Sequence, residues 1–140
     1  MAHTEFPCEV LTPEGEVFND DVVQISTRTA VGSIGILANH QPLLAMLDPT
    51  ELRLYRSDDD IVRLAQSEGY MQVADNRALL LVEEAHEPGS LDAADLRDRL
   101  QAARSELEQA GEDSERRRVA ERNVRRWQAF LAIAEGGGEV

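Results

Sequence analysis

A chain of 140 residues, 42% hydrophobic and 4% aromatic, has material for one mostly aliphatic core, as a single domain or as a domain with an appendage. Its net charge of −13 argues against nucleic acid, whose phosphates select positive surfaces. No apolar run approaches the roughly 20 residues of a membrane span, Met1–Glu9 lacks the features of a secretory signal, and the lone Cys8 excludes an intrachain disulfide or a cysteine zinc cluster. The default expectation is cytoplasmic.

From Phe6 to Glu84 the pattern is that of short strands. Phe6, Cys8 and Val10 alternate with Pro7 and Glu9, which reads Cys8 as a buried strand thiol, and Thr12-Pro13-Glu14-Gly15 carries turn chemistry. A strand is expected over Val22–Thr27, then at Leu52 and Leu54, with a loop at Ser57-Asp58-Asp59-Asp60 leading into Ile61–Leu64. Met71 and Val73 mark another run, Asn76 a turn, and Ala78–Val82 a strand apolar on both faces, expected central and buried. Short strands at this spacing, with no intervening helix, predict an antiparallel sandwich or barrel.

His86-Glu87-Pro88-Gly89-Ser90 ends the strand pattern, because proline cannot extend a ladder and glycine frees the backbone. Beyond it Leu96, Leu100, Ala103, Leu107 and Ala110 recur at helical spacing, and so do Ala120, Val124, Trp127, Leu131 and Ala134 after the break Gly111-Glu112-Asp113-Ser114. Ser90 or Asp92 is positioned to cap the first helix and Ser114 the second. The short link predicts an antiparallel pair. The expected organisation is a β-domain over 1–86, a hinge at 87–90, a helical hairpin over 91–135 and a flexible tail at 136–140. Each stripe is too narrow to hold its helix alone in water, so the hairpin needs a surface to pack on.

Charge is unevenly placed. Sixteen acids face five arginines up to residue 90, against eleven and nine from 91 onward. Arg116, Arg117, Arg118, Arg122, Arg125 and Arg126 cluster on the second helix, which reads either as a solvated face with intrahelical ion pairs or as a docking surface for acidic protein. Other constellations carry little chemistry. Asp58-Asp59-Asp60 lacks the alternating ligands, central glycine and closing glutamate of a calcium loop. His3, His40 and His86 have no metal-ligand spacing, and Glu83 and Glu84 read as surface groups at a strand end. His40 has no nucleophile placed beside it by sequence. In Gly32-Ser33-Ile34-Gly35 two glycines three apart suggest a tight reversal, after which Ile36-Leu37 returns to the core; the loop lacks the lysine and hydroxyl of a phosphate-binding loop.

The stretch Gly32-x-x-Gly35-Ile36-Leu37-x-x-His40-x-Pro42-Leu43 resembles the signature of the epsilon-subunit family of F-type ATP synthases. Val10-Leu11-Thr12-Pro13 with Val17-Phe18, Ser67-Glu68-Gly69-Tyr70-Met71-Gln72-Val73, and Leu91-Asp92 opening a helical hairpin extend the likeness over essentially the whole chain. The resemblance implies an α+β fold: an N-terminal antiparallel β-sandwich followed by a C-terminal antiparallel two-helix hairpin. It implies a non-catalytic rotor subunit, peripheral on the cytoplasmic face of the bacterial plasma membrane, with no catalytic residue and no metal or cofactor. Thr12, His40 and Pro42 would face the gamma subunit, and Ser33 and Ile34, at a tip between the glycines, the c ring. The second helix, through Arg116, Arg122, Arg125 and Arg126, would regulate by reaching the alpha and beta subunits when the hairpin extends.

Some relatives bind ATP on the folded hairpin through Leu/Ile-Asp-x-x-Arg-Ala. Here Leu91-Asp92 is followed by Ala93-Ala94-Asp95-Leu96-Arg97-Asp98, so the arginine is displaced and Asp98 stands in the place of alanine. Asp92, Arg97 and Arg126 are the residues the resemblance offers for ATP as a regulatory ligand. Two other functions stand beside this one: a free-standing acidic protein-binding module, and a hydrolase using His40.

Overall fold

The structure, a computed structural model, describes residues 3–136. Ten strands come first: β1 (Phe6–Thr12), β2 (Gly15–Val22), β3 (Gln24–Thr29), β4 (Gly32–Leu37), β5 (Leu43–Leu47), β6 (Thr50–Tyr55), β7 (Ile61–Gln66), β8 (Gly69–Ala74), β9 (Arg77–Val82) and β10 (Ala85–His86). A single 3-10 turn, Pro88–Ser90, leads to helices α1 (Ala93–Ala110) and α2 (Ser114–Ala134). The tail expected at 136–140 lies, apart from Gly136, outside the described residues.

The strands form a sandwich. One layer runs β4-β3-β6-β7-β10 and the other β5-β8-β9-β1-β2; the bridge between them is the single pair Thr29–Leu47. Every pairing is antiparallel except β1 with β9, which run parallel from Cys8–Ala78 to Leu11–Leu81. Period-2 alternation sends Phe6, Cys8 and Val10 of one layer and Ile25, Leu52 and Leu54 of the other into a shared aliphatic core with Ile36, Met71 and Leu80. Burial pushes the Cys8 thiol up to about 12, with a smaller push from the Glu9 charge, so it is an inert core group.

Several local expectations are corrected. The strand expected over Val22–Thr27 is two strands, because the chain changes partner at Val23: Val22 closes β2 opposite Phe6 and Gln24 opens β3 opposite Leu37. The reversal after β3 turns at Ala30-Val31 with Gly32 at φ 135°. Gly35 lies inside β4 opposite Ser26. An added Cβ there would meet nothing closer than Gln24 Nε2 at 3.7 Å, so nothing in the structure explains a glycine at 35. Gly69 is different: a Cβ would sit 2.1 Å from the Leu81 carbonyl oxygen, so the close approach of β8 and β9 requires glycine. β9 is central in its layer, but only Ala78, Leu80 and Val82 are buried and Leu81 is 46% exposed.

The helices pack antiparallel on each other. Asp92 caps α1 by accepting from the backbone N–H of Ala94 and Asp95. Gly111, at φ 57°, ends it. The cap of α2 is Asp113, which accepts from Arg116 N–H, and not Ser114, which is the first helical residue. On α2 the predicted stripe is only part of the buried surface. Ala120 is fully buried and Val124, Trp127, Leu131 and Ala134 half-buried, while Arg126, Phe130 and Ile133 form a second buried row. Phe130 and Ile133 join Leu96 of α1 and Ala65 of β7 in a small apolar cluster, which ties the hairpin to the sandwich.

Candidate functional site

Two features stand out: the join between hairpin and sandwich, and a bare face on the sandwich.

The join is built on Arg126. Its side chain is 10% exposed, and it meets carboxylates from two separate turns. Nε donates to Glu68 Oε1 at 3.0 Å and Nη2 to the other Glu68 oxygen, while Nη1 donates to Glu84 Oε2 at 2.7 Å. Each of the three guanidinium nitrogens thus donates to a carboxylate. Glu68 and Glu84 are placed side by side because Ser67 and Glu84 pair: the Ser67 N–H donates to the Glu84 carbonyl and the Glu84 N–H to Ser67 Oγ. Burial alone would raise the Glu68 carboxyl, but the hydrogen bond and charge of Arg126, with a backbone bond and the Arg122 charge, hold it below the usual range. Burial would lower the Arg126 guanidinium, and Glu68 first, then Glu84 and Glu83, raise it instead.

Around this clasp Arg125 and His86 add contacts across the join, and Trp127 stacks within the hairpin. Arg125 Nη2 lies 2.6 Å from Asp48 Oδ1. Trp127 lies beneath the Arg126 and Arg99 guanidiniums, 5.4 and 5.0 Å from its ring centroid. His86 Nε2–H donates to Glu84 Oε1, 2.8 Å away, and the ring stands edge-to-face with Phe130 at 5.9 Å.

The α2 arginines therefore divide. Arg125 and Arg126 hold the sandwich. Arg116 crosses to Glu106 of α1, and Arg117 and Arg118 pair along α2 with Glu121 and Glu115. Arg122 has no carboxylate ion-pair partner among the described residues; its nearest polar contact is Asn123 Oδ1 at 3.5 Å. Glu84, read from sequence as a surface group, is half of the Arg126 clasp. No local sequence signal marks Glu84, which is brought beside Glu68 by the pairing of Ser67 with Glu84 across the two turns.

Each of the three residues offered for ATP has an internal partner. Asp92 caps α1, Arg97 pairs with Glu135 at 2.8 Å, and Arg126 faces the sandwich. Any anion at these groups would compete with an internal partner.

The bare face lies on the outside of β5, β8, β9 and β1. Met46 pairs with Tyr70, Tyr70 with Leu81, and Leu81 with Leu11, giving one cross-strand apolar row. Met46 is 60% exposed, Tyr70 53% and Leu81 46%, and Leu44 stands next to the row at 74%. A contiguous exposed apolar patch of this kind marks an interaction surface.

Thr12 ends β1 at one end of this face, with its hydroxyl donating to the Gly15 carbonyl. His40 and Pro42 lie at the other end, where the Asn39 N–H donates to Asn76 Oδ1 in the β8–β9 turn. The His40 ring donates through Nδ1 to the Gln41 carbonyl at 2.8 Å, and its backbone N–H donates to the Leu37 carbonyl. The rows Leu43–Val73 and Leu47–Gly69 that mark the two ends are four residues apart, about 13 Å. Ser33 and Ile34 are not at a tip. Both are within β4, Ser33 exposed and Ile34 turned onto the core; the tip residue missed from sequence is Val31, 98% exposed.

The match to known proteins is extensive. Residues 5–88 fit the family model described as "ATP synthase, Delta/Epsilon chain, beta-sandwich domain". An ATP synthase epsilon chain of Sulfurihydrogenibium sp. is 33% identical over 90% of this chain and 94% of its own length. The chloroplastic epsilon chain of Adiantum capillus-veneris is 37% identical over 82% of this chain and 84% of its own. In fold, the chain superposes with a TM-score of 0.77 on a chain in the Euglena gracilis mitochondrial ATP synthase, at 20% identity, covering 94% of this chain and 83% of the other.

Proposed function

The chain belongs to the delta/epsilon-chain family of ATP synthase, and from that premise we propose that it is a non-catalytic subunit of the central stalk, linking c-ring rotation to the gamma shaft. The observation that carries this reading is the bare row Leu11-Leu81-Tyr70-Met46 on an otherwise well-packed sandwich. An apolar face of this kind is stabilised by burial against a partner at about 25 cal/mol per Å². Gamma is the partner assigned to it, with Thr12 at one end of the row and His40 and Pro42 at the other. The β3–β4 tip, Val31 with Ser33 beside it, is assigned to the polar loops of the c ring. None of the described helices is long and apolar enough to cross a membrane, so attachment to the bacterial plasma membrane would run through these partners.

The hairpin is assigned the control of ATP hydrolysis. Docked, it is held by Arg125 and Arg126. Released, it would expose those two arginines alongside Arg116 and Arg122 to acidic segments of the alpha and beta subunits. Two packings close in free energy are the requirement for such a switch. The test of the stalk assignment is Tyr70→Asp in the full chain, assayed for binding to purified gamma. A loss of at least tenfold in affinity is expected, and native affinity would overturn it. For the hairpin, removal of residues 91–140 from the assembled complex should raise ATP hydrolysis; an unchanged rate would remove the inhibitory role.

A further inference from the structure

A sheet edge is a row of backbone donors and acceptors, and proteins blunt edges that have no partner with charge, proline, bulges or brevity. Three of the four strands that end the two layers are blunted or held. β10 is two residues long. β2 carries Glu16, Asp20 and Asp21, and its pairing with β1 shifts register between Val10 and Leu11. β5 follows Pro42 and is tied back to β3 by the Thr29–Leu47 pair and by Ala30 N–H, which donates to the Met46 carbonyl. β4 has none of these devices. Gly32-Ser33-Ile34-Gly35-Ile36-Leu37 holds no charge and no proline, and pairs with β3 at all six positions without a break.

The pairing also fixes which backbone groups are free. The Arg28 carbonyl accepts from Asp48 N–H, on the side of β3 away from β4. Its cross-strand neighbour Ser33 therefore points its own N–H and C=O away from β3, and the antiparallel alternation turns Gly35 and Leu37 the same way. Among the described residues one of these groups is bonded: the Leu37 carbonyl accepts from His40 N–H at 3.3 Å. Ser33 and Gly35 offer both groups and Leu37 its N–H, along about 13 Å of edge. Ile34 and Ile36, between them, bond to β3 and turn their side chains to the core.

We propose that β4 is a strand-addition site, and that an extended segment of gamma pairs with it along Ser33, Gly35 and Leu37. The inference rests on the assignment of gamma above and gives that subunit a second seat. Gamma is the occupant because the edge runs on into its interface: Leu37, 55% exposed, leads through Ala38 and Asn39 to His40 and Pro42 at the end of the bare face. Val31, beyond the paired stretch, stays free for the c ring. A second copy is the poorer occupant, since joining two β4 edges brings together two chains of net charge −13. Strand addition takes its affinity from main-chain bonds and its specificity from alternate side chains. Here the specificity centres on Gly35. It faces outward beside Ser26, and an added Cβ would meet nothing closer than 3.7 Å. A glycine that the fold does not require leaves a bare place for a large side chain of the incoming strand, as aromatic residues cover edge glycines elsewhere.

Residue-resolved amide exchange of the full chain, alone and with purified gamma, tests this. In the free chain the N–H groups of Ser33, Gly35 and Leu37 should exchange freely while those of Ile34 and Ile36 are protected. Gamma should slow the first three by at least about tenfold. Gly35→Pro removes one edge N–H and no bond of the β3–β4 ladder, and gamma affinity should fall about fivefold. Should proline disturb β4, Gly35→Lys keeps every backbone group and sets a blocking charge on the edge. It should weaken gamma likewise, with exchange elsewhere in the sandwich unchanged. Native gamma affinity in both variants, or gamma bound to the native chain with the three amides still open, would overturn strand addition and leave the bare face as the seat of gamma. Slowing in the free chain that grows with its concentration would make a second copy the occupant and overturn the assignment to gamma. No binding of gamma at all would overturn both readings.

Discussion

Replacing Arg126 with alanine removes the one cation between Glu68 and Glu84 and leaves both carboxylates in place. Breaking one partner out of a buried ion pair costs about 3–5 kcal/mol. Here the Glu68 and Glu84 side chains retain 25% and 31% exposure, so water reaches the orphaned carboxylates and about 2 kcal/mol is the appropriate figure. Stacking of the guanidinium on Trp127, 5.4 Å away, lies within α2 and is kept when the hairpin undocks, so it adds nothing to docking. The effect falls on hairpin docking, because the partners of Arg126 on the sandwich are the turn carboxylates Glu68 and Glu84. The docking equilibrium should therefore drop by roughly 30-fold. Hydrogen exchange at α2 amides reads this directly: protection on the sandwich-facing side should fall while the β-sheet ladders keep theirs. Arg118→Ala is the control, since its pair with Glu115 is 74% and 69% exposed and should contribute less than about 0.5 kcal/mol. Unchanged α2 protection in Arg126→Ala, or an equal effect of Arg118→Ala, would refute the clasp as the device that holds the hairpin.

Gly69→Ala should destabilise the sandwich by about 3 kcal/mol, seen as a lowered urea midpoint, because its Cβ meets the Leu81 carbonyl and backbone must move; Gly35→Ala, with its nearest contact at 3.7 Å, should be tolerated within about 1 kcal/mol. Phe130→Ala, at a site 1% exposed, should cost about 3 kcal/mol, again in hairpin protection rather than in the strands. The Glu68 carboxyl is lowered in the folded state, so the stability it contributes is complete above the ordinary value of 4.5 and is lost as pH falls through its folded value; acid titration of Glu68→Gln should lack that component below about pH 4.5.

The strand layout was legible because burial in a sandwich alternates with period two: Phe6, Cys8 and Val10 are as buried as their spacing says. The hairpin was legible for the same reason at helical period. The clasp was not. Arg126 sits among five other arginines with nothing local to mark it, and its partners are 58 and 42 residues away. Only tertiary structure distinguishes an arginine that meets carboxylates in a turn from one that meets water. Ala78–Val82 failed in a more instructive way. Apolar residues on both faces do predict that both faces avoid water, but a sequence does not say whether the second face is covered by the same chain. Leu81 is 46% exposed, so this chain leaves that second face open. The glycine pair misled because Gly32 serves a turn and Gly35 does not, and spacing alone treats them alike.

As a rotor subunit, the role proposed for it, the chain should be found bound to the rest of the synthase. The most direct measurement is affinity purification of the tagged full chain from membranes of its own host, with co-purifying subunits identified and counted by mass spectrometry. Recovery of gamma at one copy per tagged chain, together with alpha, beta and c, is the predicted result. Recovery of the chain alone, or with proteins outside the synthase, would contradict the assignment and leave an acidic β-sandwich whose bare face serves some other partner.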